Sequence, residues 1–179
     1  SKFTNNKYKD VKLNETALPI IDKREYKIST IQINKNEYLN DHLIIFENEM
    51  YADFLEYKKY KKIYFVLLEN ENRSIKLSSK VMDYKRNVVK SRLTEIKCEA
   101  ELLDGKSLTN FTDTSKSFDV IYPCVGENFS FLKTLAKKNS LNINFIKRKE
   151  DEFCWKYSNK GYFNFKSNIP IILTTFKLN

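Results

Sequence analysis

The sequence predicts an α/β fold: one three-layer domain around a mostly parallel central sheet of four or five strands. Two observations carry that expectation. The runs at 43–46 (Leu-Ile-Ile-Phe) and 63–68 (Ile-Tyr-Phe-Val-Leu-Leu) are apolar without alternation, as strands buried on both faces are. Segments with helical spacing separate the strand-like runs, the pattern that folds into right-handed crossovers within one parallel sheet. Three Gly and three Pro in 179 residues leave no flexible linker to divide the chain. The expected organisation is a loosely packed arm over 1–24 followed by one domain over 25–179.

Taken in order, the polar segment 1–24, with Asn5, Asn6 and several Lys, forms the arm. Residues 25–33 carry Tyr26, Ile28, Thr30, Ile31 and Ile33, a β-branched content that favours a strand. After the first apolar run, Met50, Phe54, Leu55 and Tyr57 place a helix over 48–60. The clearest element is a long helix over about 79–104. Met82, Val89, Leu93, Ile96, Ala100 and Leu103 recur at heptad-like positions, Ser78 or Ser79 can cap its start, and Gly105 can end it. A Ser/Thr-rich connection follows over 108–117. A strand over 118–122 is stopped by Pro123, and a helix is expected over 127–139. Residues 141–146 alternate apolar residues with Asn, which suits a strand near a sheet edge. The aromatic tail reads as a helix over 161–168 and an extended segment after Pro170.

The net charge is +9 and the aromatic content 14%. A basic balance points towards a polyanion. Of the 32 basic residues, 27 are Lys and 5 are Arg, and Asn occurs 19 times. Codon bias of an AT-rich genome raises Lys and Asn without selection for binding, and phosphate readers favour the Arg fork. No apolar run approaches the roughly 18 residues of a membrane span, and no leader opens the sequence, so no membrane association is expected. Three cysteines are too few for a disulfide framework, which favours a reducing, cytoplasmic setting.

In open α/β sheets ligands sit beyond the carboxyl ends of the strands. The residues expected there are Glu47 and Glu49, then Glu69, Asn70, Glu71 and Arg73. Pro123, Cys124, Gly126, Glu127 and Asn128 follow, and then Lys147, Arg148, Glu150 and Asp151. Carboxylates on one rim can hold Mg²⁺, a hard cation that takes oxygen ligands and activates water against a phosphate. The leading expectation is therefore a nucleic-acid-interacting domain with Mg²⁺-dependent phosphodiesterase chemistry. Glu47, Glu69 and Glu71 would hold the metal, with Glu69 and Glu71 catalytic. Lys147, Arg148, Lys149, Lys160 and Trp155 would contact nucleic acid, because Lys interleaved with aromatics is how single strands are held. The strand–turn–helix around Gly126 and Asn128 offers a phosphate cradle, since a helix start presents free amides and a positive dipole.

Two alternatives accompany that reading. One is a non-catalytic protein-interaction module, an inhibitor, immunity protein or complex subunit, using the long helix as its partner surface. The other is a small nucleotide or sugar-nucleotide binder using Gly126 and Asn128. Zinc is not expected, because Cys98, Cys124, Cys154 and the single His42 lack ligand spacing. A Cys124–His42 nucleophile pair is a further candidate, with Cys124 near a helix start, which lowers a thiol pKa.

Overall fold

The computed structural model describes residues 38–50, 55–158 and 161–177. The arm over 1–24, the strand expected over 25–33 and Lys160 lie outside them. The described chain is an α/β fold with a five-stranded, all-parallel sheet in the order β3-β2-β1-β4-β5. The strands are β1 His42–Phe46, β2 Lys62–Val66, β3 Ala100–Leu103, β4 Ser117–Ile121 and β5 Asn142–Ile146. The helices are α1 Ser79–Glu95, α2 Gly105–Thr114, α3 Glu127–Asn139, α4 Lys149–Ser158 and α5 Tyr162–Phe176.

The two continuous apolar runs became β1 and β2, side by side in the middle, with Leu43 opposite Ile63. Alternate residues serve opposite faces. Leu43, Ile45, Ile63 and Phe65 pack with Val89 of α1, while Ile44, Phe46, Tyr64 and Val66 pack with Leu108 of α2 and Leu132 and Leu135 of α3. Each strand residue is thus buried whichever way it points, which is why neither run alternates.

The strand order explains the helix placement. From β2 the chain moves outward through α1 to β3, then returns through α2 to β4 beside β1, and continues through α3 to β5. A right-handed crossover that reverses its direction of travel must change faces. Helix α1 accordingly lies on one face, and α2 and α3 on the other. The reversal falls between β1 and β4, the position at which open α/β sheets take up ligands, here called the crevice.

The long helix of 79–104 is shorter than expected. Ser78 caps its start by accepting from the Val81 amide, but α1 ends at Glu95, and 100–103 is the edge strand β3. Ile96, Cys98, Ala100 and Leu102 all pack on the α1 face of the core, a period of two rather than 3.6. Pairing with β2 captures this stretch, with Ile63 opposite Ala100 and Val66 opposite Leu103. Of the apolar positions read on that helix, Val89 and Leu93 pack in the core on this sheet face and Met82 is buried. Gly105 opens α2 instead of closing α1. A Cβ there would stand 2.4 Å from Asn72 Oδ1, so its lack of a side chain admits the 70–72 turn. The Ser/Thr-rich connection contains α2, capped by Asp104, which accepts from the Ser107 amide.

Of the helix over 48–60, the described residues keep only the short 3-10 turn Tyr57–Lys59. The tail also differs. Helix α5 runs through Pro170, so the segment beyond it is helical, not extended. The carbonyl that Pro170 leaves unpaired belongs to Lys166, an exposed residue that water can reach. Helices α4 and α5 pack on one another, with the Phe153 and Phe176 rings 5.3 Å apart. Among the described residues no helix is long and apolar enough to cross a membrane.

Candidate functional site

The carboxyl ends of β1 and β4 deliver two segments to the crevice, Glu47-Asn48-Glu49 and 123–128. Asn48 ties them together. Its amide donates to the Pro123 carbonyl at 2.9 Å, and its Oδ1 accepts from Asn128 Nδ2 at 2.9 Å. Asn128 Nδ2 also donates to Glu47 Oε2 at 3.1 Å. Asn128, 8% exposed, thus reaches across the crevice from α3, and its own Oδ1 is buried without a partner.

Arg73 enters from the loop after β2. Its Nη2 meets Glu47 Oε1 at 2.6 Å, its Nη1 meets Glu127 Oε2 at 3.2 Å, and its Nε donates to the Leu68 carbonyl at 2.8 Å. Glu47 is 1% exposed at its side chain, with Lys85 a second cation at 3.4 Å. Burying a carboxylate is costly unless it is paired and hydrogen-bonded, and Arg73 with Asn128 meets both needs.

Glu127 holds the neighbouring loop from above. One of its oxygens accepts from the Ser74 amide, the Ser74 hydroxyl and the Ile75 amide at 2.6–2.9 Å. The Ser74 hydroxyl and the Ile75 amide, helped by Arg73, pull its carboxyl down to about 2 from 4.5. A carboxylate with a lowered folded pKa stabilises the fold above its unfolded value, and that contribution fades as pH falls towards the folded one. Melting curves of a Glu127→Gln variant should therefore sit below wild type near pH 7. The gap should close as pH drops through 4.5 towards 2. A gap of constant size across that range would show that the charge of Glu127 is not what holds the loop.

On the β5 side, Glu49 Oε2 pairs with Arg148 Nη2 at 2.6 Å, and Arg148 Nε pairs with Asp151 at 3.0 Å. Burial raises the Glu49 pKa against the pull of Arg148. Cys124 adopts a left-handed backbone (φ 58°) with its Sγ 4.0 Å from Glu49 Oε1. Burial and then the Glu49 charge raise its thiol pKa, which disfavours the thiolate. His42 begins β1 and stacks on Tyr64, whereas Cys124 follows β4. Parallel strands put those positions at opposite edges of the sheet, so the two do not form a pair.

Several expected site residues fall in other roles. Glu69 pairs with Arg86 at 2.8 Å, Glu71 is exposed on the 70–72 turn, and Glu47 is closed in by Arg73. Among the described residues no three His, Cys, Asp or Glu side chains gather as a metal-binding group. The donor set of Glu47, Glu69 and Glu71 therefore does not fit Mg²⁺: two of its three members already face guanidinium groups. Lys147 lies over the Tyr122 and Trp155 rings, at 4.8 and 4.4 Å from their centroids. Burial lowers its pKa. Lys149 starts α4. The Lys cluster around Tyr60 is largely paired: Lys59 with Glu56, Lys61 with Asp41, and Lys62 with Glu99 and Glu101.

Gly126 has φ 140°, a conformation that side-chain-bearing residues resist. It precedes α3, whose first turn has no side-chain cap. The first-turn amides and the helix dipole there favour an anion. Beside them runs an open groove of about 480 Å³ lined by Asn72, Ser74, Gly126, Glu127, Ser130, Phe131 and Thr134. No family model, curated protein or solved structure matches the chain.

Proposed function

We propose that the protein binds a small nucleotide or sugar-nucleotide at the crevice between β1 and β4. The observation that supports this best is the reversal of strand order at that point, the place where doubly wound sheets take up ligands. The start of α3, free of a side-chain cap, suits a phosphate. The rim carboxylates are partly offset: Glu47 and Glu127 share Arg73, with Lys85 also near Glu47, and Glu49 shares Arg148 with Asp151.

The test is thermal stabilisation by mononucleotides, nucleoside diphosphates and inorganic phosphate, followed by calorimetry. A ligand that binds only the folded chain at 100 times its Kd adds about 2.7 kcal/mol of stability. Unchanged melting with every mononucleotide at millimolar concentration would overturn the proposal.

The nucleic-acid reading keeps one supporting observation: Trp155 is 41% exposed and lies beside Lys147. Labelled single-stranded DNA and RNA, titrated across a salt series with and without Mg²⁺, belong in the same experiment. Tight binding of the polymers that weakens steeply with salt, together with no response to mononucleotides, would favour that reading. Shortened product only with Mg²⁺ would restore the phosphodiesterase chemistry.

A further inference from the structure

We propose that a nucleotide in this crevice lays its base on Trp155, with the ammonium of Lys147 serving its phosphate. This rests on the crevice reading and adds an orientation and a ligand class to it. Tyr122 ends the β4 segment just before Pro123. Its ring meets Phe129, in the first turn of α3, edge-on at 5.6 Å, and Trp155 of α4 edge-on at 6.1 Å. One ring therefore separates the start of α3 from the indole.

Trp155 keeps 41% of its surface exposed even though Tyr122 and Lys147 pack on it. An aromatic face beside an anion-favouring helix start is suited to a base that follows a phosphate, because any base has a π-face to stack. Lys147 lies over the Tyr122 and Trp155 rings. Its close contacts are ring faces; among the described residues the carboxylates of Glu152 and Asp151 act on it only from beyond ion-pair distance. An arriving phosphate would bring a closer counter-charge to its partly desolvated ammonium than Glu152 and Asp151 supply.

Asn128 narrows the class further. Its amide donates across the crevice to Glu47 and Asn48, both on the β1 side, and leaves Oδ1 buried with no donor. A buried acceptor without a partner is costly, so a ligand that brings a donor gains there. Phosphate alone brings none at neutral pH beyond a single proton, whereas a ribose brings hydroxyls. Phosphate, sugar and base together describe a nucleotide.

Trp155 is the only tryptophan in the chain, so its fluorescence reports on this ring alone. The experiment titrates adenosine monophosphate and ribose 5-phosphate against the full chain, by calorimetry and by fluorescence in parallel. Adenosine monophosphate should quench the emission saturably, at the concentrations where calorimetry shows binding. Ribose 5-phosphate should bind without quenching. Trp155→Ala should weaken adenosine monophosphate about tenfold and leave ribose 5-phosphate unchanged, which also shows that the variant is folded. Trp155→Phe, which keeps a ring, should recover most of the lost affinity. If adenosine monophosphate binds with no quenching and no loss in Trp155→Ala, the base lies elsewhere. The inference then falls while the crevice reading stands. If neither ligand binds, both fall together.

Discussion

Replacing Asp119 with Ala should cost about 4 kcal/mol, a large share of a stability of about 5–15 kcal/mol for a single domain. Asp119 is fully buried on β4, and both carboxylate oxygens are in use. Oδ1 accepts from Asn40 Nδ2 at 2.8 Å and Asn144 Nδ2 at 2.9 Å; Oδ2 accepts from the Leu39 amide at 3.1 Å and the Tyr60 hydroxyl at 2.9 Å. Three segments are thus fastened to this one side chain of β4: the approach to β1, the turn before β2, and β5. Removing it leaves buried donors without an acceptor, each costing roughly 1–3 kcal/mol. Asp119→Asn should be nearly as damaging, because it turns one acceptor oxygen into a donor that faces two donors. Tyr60→Phe removes one bond and should cost about 1 kcal/mol. Chemical denaturation reads all three, as a lower midpoint with an unchanged slope. A midpoint for Asp119→Ala within experimental error of Tyr60→Phe would show that the other three bonds add nothing.

How much of this was legible in the sequence follows from which signals were local. The apolar runs at 43–46 and 63–68 were visible because burial on both faces needs no partner information. The helix Glu127–Asn139 was visible for a similar reason: Phe131, Leu132, Leu135 and Ala136 keep its period within one element. The α1–β3 boundary was hidden. Leu93, Ile96, Ala100 and Leu103 fit both a heptad and the end of a helix followed by a strand, and no Gly or Pro marks the break. Only pairing with β2, a contact 37 residues away at Ile63 and Ala100, decides between them. Pro170 misled in the opposite direction, since the cost of a proline inside a helix depends on whether water reaches the freed carbonyl.

The site was legible as a rim and illegible as a network. Once the strands were placed, Glu47, Glu49, Arg73, Cys124, Glu127, Asn128, Arg148 and Asp151 were all assigned to the carboxyl edge. What the sequence could not show was which cation turns to which carboxylate. Glu47 reads as a metal ligand until Arg73, 26 residues on, is seen 2.6 Å away. Asn48 was overlooked, and the available signal was an amide between two acids directly after a buried strand. Asp119 was overlooked too, although a lone Asp inside the otherwise apolar Phe118–Ile121 stretch of β4 marks a buried polar contact.

Arg73→Met should be the other large loss, and it separates charge from packing at the crevice. Methionine keeps much of the length of the side chain but leaves Glu47, 1% exposed, with only Lys85 at 3.4 Å and the Asn128 amide. Breaking a buried pair by removing one partner costs about 3–5 kcal/mol, most of it the penalty of a stranded charge. If that is the origin, Glu47→Gln in the same chain should return a large part of the loss, because the stranded charge is gone. The coupling between the two substitutions, read by a double-mutant cycle in denaturant, should then exceed about 1 kcal/mol. Arg73 has a second duty: its Nη1 and its place beside Ser74 steady Glu127 at the start of α3. Glu47→Gln cannot replace that, so the double variant should regain stability without regaining ligand affinity. Recovery of stability and nucleotide binding together would place the whole role of Arg73 in neutralising Glu47. Recovery of neither would show that the side chain matters for how it fills space beneath the loop, not for its charge.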